Sequence, residues 1–170
     1  MTAVAGALHI RPAVEGDISA MVAIERASFS DPWTAAAIAS TLRYDHMRVL
    51  VAEERGGGTG DGSGDGGGDG AGRPLGYVVA MVAGPEAEIA DLAVSPDARR
   101  RGIGRALIDR LLADLEAEGV TAVFLEVRES NRAARALYES RAFHGVGRRR
   151  GYYRLPPEDA LLLKRELGPT

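Results

Sequence analysis

The segment that most constrains this chain is a strand, a glycine–arginine turn and a long helix in immediate succession. From Val94 the sequence reads Val-Ser-Pro-Asp-Ala-Arg-Arg-Arg-Gly-Ile-Gly-Arg, and a helix is predicted over Arg105–Glu118 with Gly119 closing it. Ile103, Leu107, Leu111 and Leu115 recur every four residues, with Ile108 and Leu112 beside them. Such a stripe needs an apolar surface to cover it. Predicted strands over Glu86–Val94 and Val120–Arg128 flank the helix and can supply that surface. A helix lying across a sheet follows.

The remaining segments extend this picture. His9–Pro12, Arg48–Glu53, Leu75–Val82 and Asp159–Arg165 read as strands, and Gly84-Pro85 as a turn that pairs Leu75–Val82 with Glu86–Val94. Glu15–Phe29 carries Ile18, Met21, Val22 and Ile24 near helical spacing; Thr34–Leu42 and Asn131–Arg141 are further helices. Short antiparallel strands followed by strand–helix–strand–helix give an α/β (α+β) fold with one mixed sheet. The 170 residues form one expected domain.

Composition matters at three points. Half of the 22 glycines fall within 56–72, a run otherwise of Asp, Ser, Thr and one Ala, so a disordered loop is expected there. Asp61, Ser63, Asp65 and Asp69 approach the spacing of a calcium loop, but the closing Glu is absent, and no metal site is expected. The absence of cysteine removes disulfides, thiolate metal sites and a cysteine nucleophile. Net charge is −3, which argues against a general nucleic-acid binder. No stretch approaches the ~20 apolar residues of a membrane span, and the first ten residues do not read as a signal peptide. A cytoplasmic protein is the expectation. His9, His46 and His144 are scattered and suggest no metal or triad.

The turn itself points to phosphate. A helix start offers unpaired N–H groups and partial positive charge. Gly102 and Gly104 let a phosphate approach the backbone, and Arg99, Arg100, Arg101 and Arg105 surround it. The pattern is neither a P-loop nor a dinucleotide fingerprint, because no Gly-Lys-Ser/Thr follows and the third glycine position is Leu107.

A second feature is Glu126 inside Thr-Ala-Val-Phe-Leu-Glu-Val, a strand otherwise suited to burial. An unpaired buried carboxylate is very costly. Either the strand end opens into a cleft, or Glu126 pairs with Arg128 or another arginine. Asn131 and Tyr138 lie on one face of the following helix, seven residues apart. Carboxylate, amide and phenol thus converge near the phosphate seat, although Tyr138 can equally be a core-edge residue.

Arg99-x-x-Gly102-x-Gly104 after Val94-x-Pro96 resembles the acetyl-CoA signature of GCN5-related N-acetyltransferases (GNAT). The run Leu-Glu-Val-Arg-Glu-Ser-Asn-Arg-Ala-Ala-Arg-Ala-Leu-Tyr-Glu-Ser over 125–140 is similar to the RimI family of ribosomal-protein alanine N-acetyltransferases. So are Phe29-Ser-Asp-Pro-Trp33 and Arg149-Arg150-Gly-Tyr152-Tyr153. The resemblance implies a GNAT fold: a twisted, mostly antiparallel sheet of six to seven strands flanked by about four helices. It implies acetyl-CoA as co-substrate, held by Leu92, Ala93 and Val94, by Arg99, Arg100, Arg101, Gly102, Ile103, Gly104 and Arg105, and by Asn131. Glu126 aligns with the base and Tyr138 with the acid. The implied acceptor is a protein N-terminus, the alanine of a small-subunit ribosomal protein, with no direct nucleic acid or membrane partner and a monomer as the expected state. Trp33, Tyr152 and Tyr153 are candidates for the acceptor groove. The family usually has glycine where this chain has Ala142, a left-handed helix cap.

The chemistry fits that reading. An amine attacks a thioester only after losing a proton, which a base can take directly or through water. A small-molecule acceptor (an aminoglycoside or polyamine) and a non-catalytic CoA-binding module are the alternatives.

Overall fold

The computed structural model describes residues 6–55 and 72–168. Its seven strands are β1 (Ala7–Pro12), β2 (Met47–Arg55), β3 (Pro74–Ala83), β4 (Glu86–Val94), β5 (Ala122–Arg128), β6 (His144–Arg154) and β7 (Pro157–Glu166). All join one sheet in the order β1-β2-β3-β4-β5-β7-β6. Every pairing is antiparallel except β4 with β5. The four helices are α1 (Ile18–Ser28), α2 (Ala35–Thr41), α3 (Ile103–Ala117) and α4 (Arg132–Ser140). This is the expected α/β architecture. The predicted glycine-rich loop lies outside the described residues, apart from Gly72. No described helix is long and apolar enough to cross a membrane.

The apolar stripes explain the layers. Ile103, Leu107, Ile108, Leu111, Leu112 and Leu115 of α3 are buried against Leu50, Val78, Ala80, Ile89, Val123 and Leu125. Each such side chain contributes about 1.5–3 kcal/mol. On the opposite face Met21 and Ile24 of α1 and Ile38 of α2 pack on Val49, Val51, Tyr77, Val79 and Ala93. Thr34 caps α2 by accepting the Ala37 N–H at 3.1 Å.

β1 is tied in by charge. Arg11 donates to both Asp17 oxygens at 2.8 and 2.9 Å and to Glu53 Oε2 at 3.0 Å. Burial alone would raise the Asp17 carboxyl, but hydrogen bonds from Arg11 and the Val14 N–H bring it below its ordinary value.

Two features departed from simple reading. β6 was not anticipated as a strand: it is an edge strand of Gly and Arg exposed along nearly its whole length, so no burial alternation marks it. Ala142 does adopt the left-handed conformation, φ 62°. The Phe143 N–H reaches the Tyr138 carbonyl at 3.1 Å and the Ala142 N–H that of Glu139 at 3.1 Å, a Schellman ending built on alanine.

Candidate active site

The site begins where two neighbouring strands part. β4 pairs with β5 over only Glu86–Ile89, opposite Ala122–Leu125. Val79 of β3 opposes Asp91 while Ala80 opposes Ile89, so Ala90 is an extra residue, a bulge that redirects β4. Beyond it Asp91–Val94 still pairs with β3 but has no β5 partner, which leaves an open strand edge at Leu92–Val94 along the split. β5 meanwhile stays paired with β7 along its full length.

After β4 comes the turn. Arg100 and Gly102 are left-handed, φ 60° and 76°. A Cβ at Gly102 would meet nothing, so conformation is the demand there. No side chain caps α3, and its first internal bond is Ala106 N–H to the Gly102 carbonyl at 3.0 Å. The N–H groups of Ile103, Gly104 and Arg105 therefore remain available to an anion. The arginines divide. Arg99 donates to the Val94 carbonyl at 3.1 Å and to Ser28 Oγ at 3.2 Å, and Arg101 pairs with Glu54. Arg100 and Arg105 have no carboxylate partner among the described residues. Backbone edge, free amides and unpaired cations together fit an extended diphosphate-bearing group.

A cleft of about 800 Å³ lies at the split, lined from β4 by Ile89–Leu92, from β5 by Leu125–Arg128 and from α4 by Asn131, Ala134 and Tyr138. Along β5, Val123, Leu125 and Val127 enter the α3 core, so Glu126 points to the other face. Its Oε1 forms an ion pair with Arg149 Nε at 2.7 Å; the Glu126 side chain is 11% exposed and that of Arg149 59%. The arginine partner thus comes from β6, not Arg128. Tyr152 and Tyr153 flank this carboxylate. Hydrogen bonding to Glu126 raises the Tyr152 phenol, and burial followed by the Glu126 charge pushes Tyr153 up to about 12. Arg128 instead stacks on Tyr153 at 4.2 Å and donates to the Leu155 and Pro156 carbonyls, each at 2.9 Å.

Asn131 spends its Oδ1 capping α4, accepting the Ala134 N–H at 3.1 Å. Tyr138 is the buried residue of that helix, 6% exposed and edge-on to Phe143. Its hydroxyl has no hydrogen-bond partner among the described residues and faces the cleft. Burial, then the charge of Asp91, raises this phenol well above its ordinary value. Trp33, Tyr152 and Tyr153 line the same cleft.

Sequence reasoning missed three residues here. Glu25 on α1 is 1% exposed; its Oε1 accepts the Trp33 N–H at 2.9 Å and its Oε2 the Tyr77 hydroxyl. The same Tyr77 oxygen lies 3.2 Å from Asp91 Oδ2. Burial, then the charge of Glu25, pushes Asp91 up to about 8, and burial with Asp91 raises Tyr77. Glu25 was visible as a carboxylate on the apolar stripe of α1, four residues after Met21. Asp91 was hidden by the Ala90 bulge, which turns it from the Ala87–Ile89 face to the face of Tyr77 and Ala93.

Residues 18–143 match the acetyltransferase (GNAT) family. The chain belongs to that family. It is 38% identical over 138 residues to the N-alpha-acetyltransferase RimI of Mycobacterium tuberculosis, covering 81% of this chain and 78% of that one. It is 43% identical over 93 residues to the [ribosomal protein bS18]-alanine N-acetyltransferase of Salmonella typhimurium, a match spanning 54% of this chain and 63% of the relative's length. The crystal structure of the ribosomal-protein-S18-alanine N-acetyltransferase from Escherichia coli superposes with a TM-score of 0.81 at 30% identity over 96% of each chain. The GNAT fold and a RimI-type member of it are therefore established for this chain.

Proposed function

We propose that the chain transfers the acetyl group of acetyl-CoA to the N-terminal α-amine of a protein, the N-terminal alanine of ribosomal protein bS18 being the first acceptor to test. Glu126 is the general base and Tyr138 the general acid. One observation carries the reading: the β5 carboxylate and the α4 phenol face one cleft where β4 leaves β5, beside a free strand edge and an uncapped helix start. The similarity to RimI-named relatives supports the choice of acceptor.

Leu92, Ala93 and Val94 would hold the pantetheine arm along the open β4 edge. The turn from Arg99 to Arg105 would hold the pyrophosphate: the N–H groups of Ile103, Gly104 and Arg105 and the side chains of Arg100 and Arg105 would line it, while Arg99 and Arg101 brace the turn. Asn131 borders the same space. Bound there, the coenzyme supplies a thioester at the split. An N–H of the Ala93–Val94 region would polarise its carbonyl.

The acceptor nitrogen must be unprotonated to attack. An α-amine, with an ordinary pKa of about 8, loses its proton more readily at neutral pH than lysine at about 10.4. Glu126 takes that proton. Arg149, more than half exposed, can turn out into solvent and leave the carboxylate to the incoming amine. The elevated Tyr138 phenol stays protonated at neutral pH and donates to the departing sulfur. No cysteine is present to relay the acetyl group, so transfer is direct.

A second reading, a small cationic amine such as a polyamine, draws support from the carboxylates Glu25, Asp91 and Glu126 in the cleft. Mass spectrometry separates the two. The protein is incubated with acetyl-CoA and a panel of peptides beginning with alanine or other residues, a peptide with only lysine amines, and spermidine. Acetylation confined to the alanine α-amine supports the first reading; acetylation of spermidine alone replaces it with the second.

A further inference from the structure

A buried carboxylate, Glu25, and a half-buried one, Asp91, share one hydrogen-bond donor in the cleft. Tyr77 has a single hydroxyl proton, yet Glu25 Oε2 and Asp91 Oδ2 both lie against its oxygen. Glu25 has its other oxygen on the Trp33 N–H. No arginine, lysine or histidine among the described residues pairs with Glu25 or Asp91. Two neighbouring carboxylates without a cation repel each other, and one more positive charge relieves this: a proton when the cleft is empty, or a cationic guest. The burial-driven rise of Asp91 is the empty-cleft solution.

The position of the pair says which guest fits. Asp91 is the first β4 residue past the bulge, immediately before the open edge at Leu92–Val94. Glu25 and Asp91 line the same cleft as Glu126, on the opposite side of the split. Tyr138 is buried as a residue, and its hydroxyl, without a partner among the described residues, borders that space and feels the Asp91 charge. A nitrogen between Asp91 and Glu126 therefore lies beside both proposed catalytic groups.

We propose that Asp91, backed by Glu25 and Tyr77, is the subsite that binds the ammonium group of the acceptor. This rests on the acetyl-transfer reading above. The incoming ammonium takes the place of the shared proton, which leaves to solvent, so the charge around the pair is unchanged on binding. Asp91 is thus a positioning residue: it orients the nitrogen, and proton removal remains with Glu126.

The test compares wild type, Asp91→Asn and Asp91→Ser in steady-state acetylation of an alanine-starting peptide and of spermidine, with CoA affinity measured by calorimetry. Asn keeps the shape and removes the charge; Ser guards against an effect peculiar to the amide. Both variants should raise KM for whichever amine the wild type accepts at least tenfold, with kcat lowered less than threefold and CoA affinity unchanged. An unchanged KM, or a loss in kcat alone, overturns the subsite. A matching loss of CoA affinity also overturns it, since collapse of β4 would then explain the result. If the wild type accepts spermidine and no peptide, the N-terminal reading fails, and the KM comparison on spermidine still decides the subsite. If it acetylates no amine, both fail.

Discussion

The molecule brings together two pairs of carboxylates and treats them oppositely. At the end of β1, Asp17 and Glu53 face Arg11, whose guanidinium donates to both, and Arg55 lies 3.5 Å from the other Glu53 oxygen. At the cleft, Glu25 and Asp91 face Tyr77, whose neutral hydroxyl cannot balance either. The first pair is complete within the fold, and removing its cation should damage stability. The second lacks a cation, and in our reading the substrate provides it. A buried charge is structural when its partner is in the chain and functional when its partner arrives from outside.

The sharpest way to break this contrast is to exchange the kinds of damage. Glu126→Gln, on the cleft side, should lower kcat by roughly 10²–10⁴-fold with the melting temperature and CoA affinity nearly intact; turnover close to wild type would remove Glu126 as base. Arg11→Ala should do the reverse. Leaving the buried Asp17 without its cation, while Glu53 keeps Arg55, costs about 3–5 kcal/mol, or a fall in Tm of about 10 °C at roughly 2–4 °C per kcal/mol, with turnover per folded molecule unchanged. A shift of a degree or two would mean that the β1 pair is not held by its arginine.

The second pair is tested through pH. Asp91 holds its proton up to about pH 8 in the fold, against about 4 in an unfolded chain. The folded state therefore binds more protons between those values, and wild-type stability falls as pH rises through the window. Asn at this position does not titrate. The Tm of Asp91→Asn relative to wild type should climb from pH 5 to pH 8 and level off above; a gap independent of pH would mean that Asp91 is ionised in the empty cleft. The smallest effect lies outside both pairs. Ala142→Gly relieves the left-handed cap and should add no more than about 1 kcal/mol, read in denaturant melts.

Much of the architecture was legible because it depends on local pattern. The four-residue repeat of α3, the alternation of β5 and the Gly84-Pro85 turn each report a neighbour they require, and the structure supplies it. β6 was not legible, since an exposed strand of Arg and Gly leaves no apolar trace. Within the candidate site, Glu126 stood out as a charge in an apolar strand, and its place in the cleft follows from alternation on β5. Its partner Arg149 could be guessed only as some arginine.

What the sequence determined by itself is whatever a few consecutive residues decide. A helix entered through Arg-Gly-Ile-Gly leaves its first amides free wherever it lies, and a carboxylate between Leu125 and Val127 faces away from the core that they enter. What only the tertiary structure decided is the meeting of groups remote in the chain. Glu25, Tyr77 and Asp91 come from α1, β3 and β4, and one extra residue at Ala90 sets the face on which Asp91 emerges. Side-chain direction along a strand has a period of two, so a single bulge inverts it, and no local pattern marks where that inversion falls.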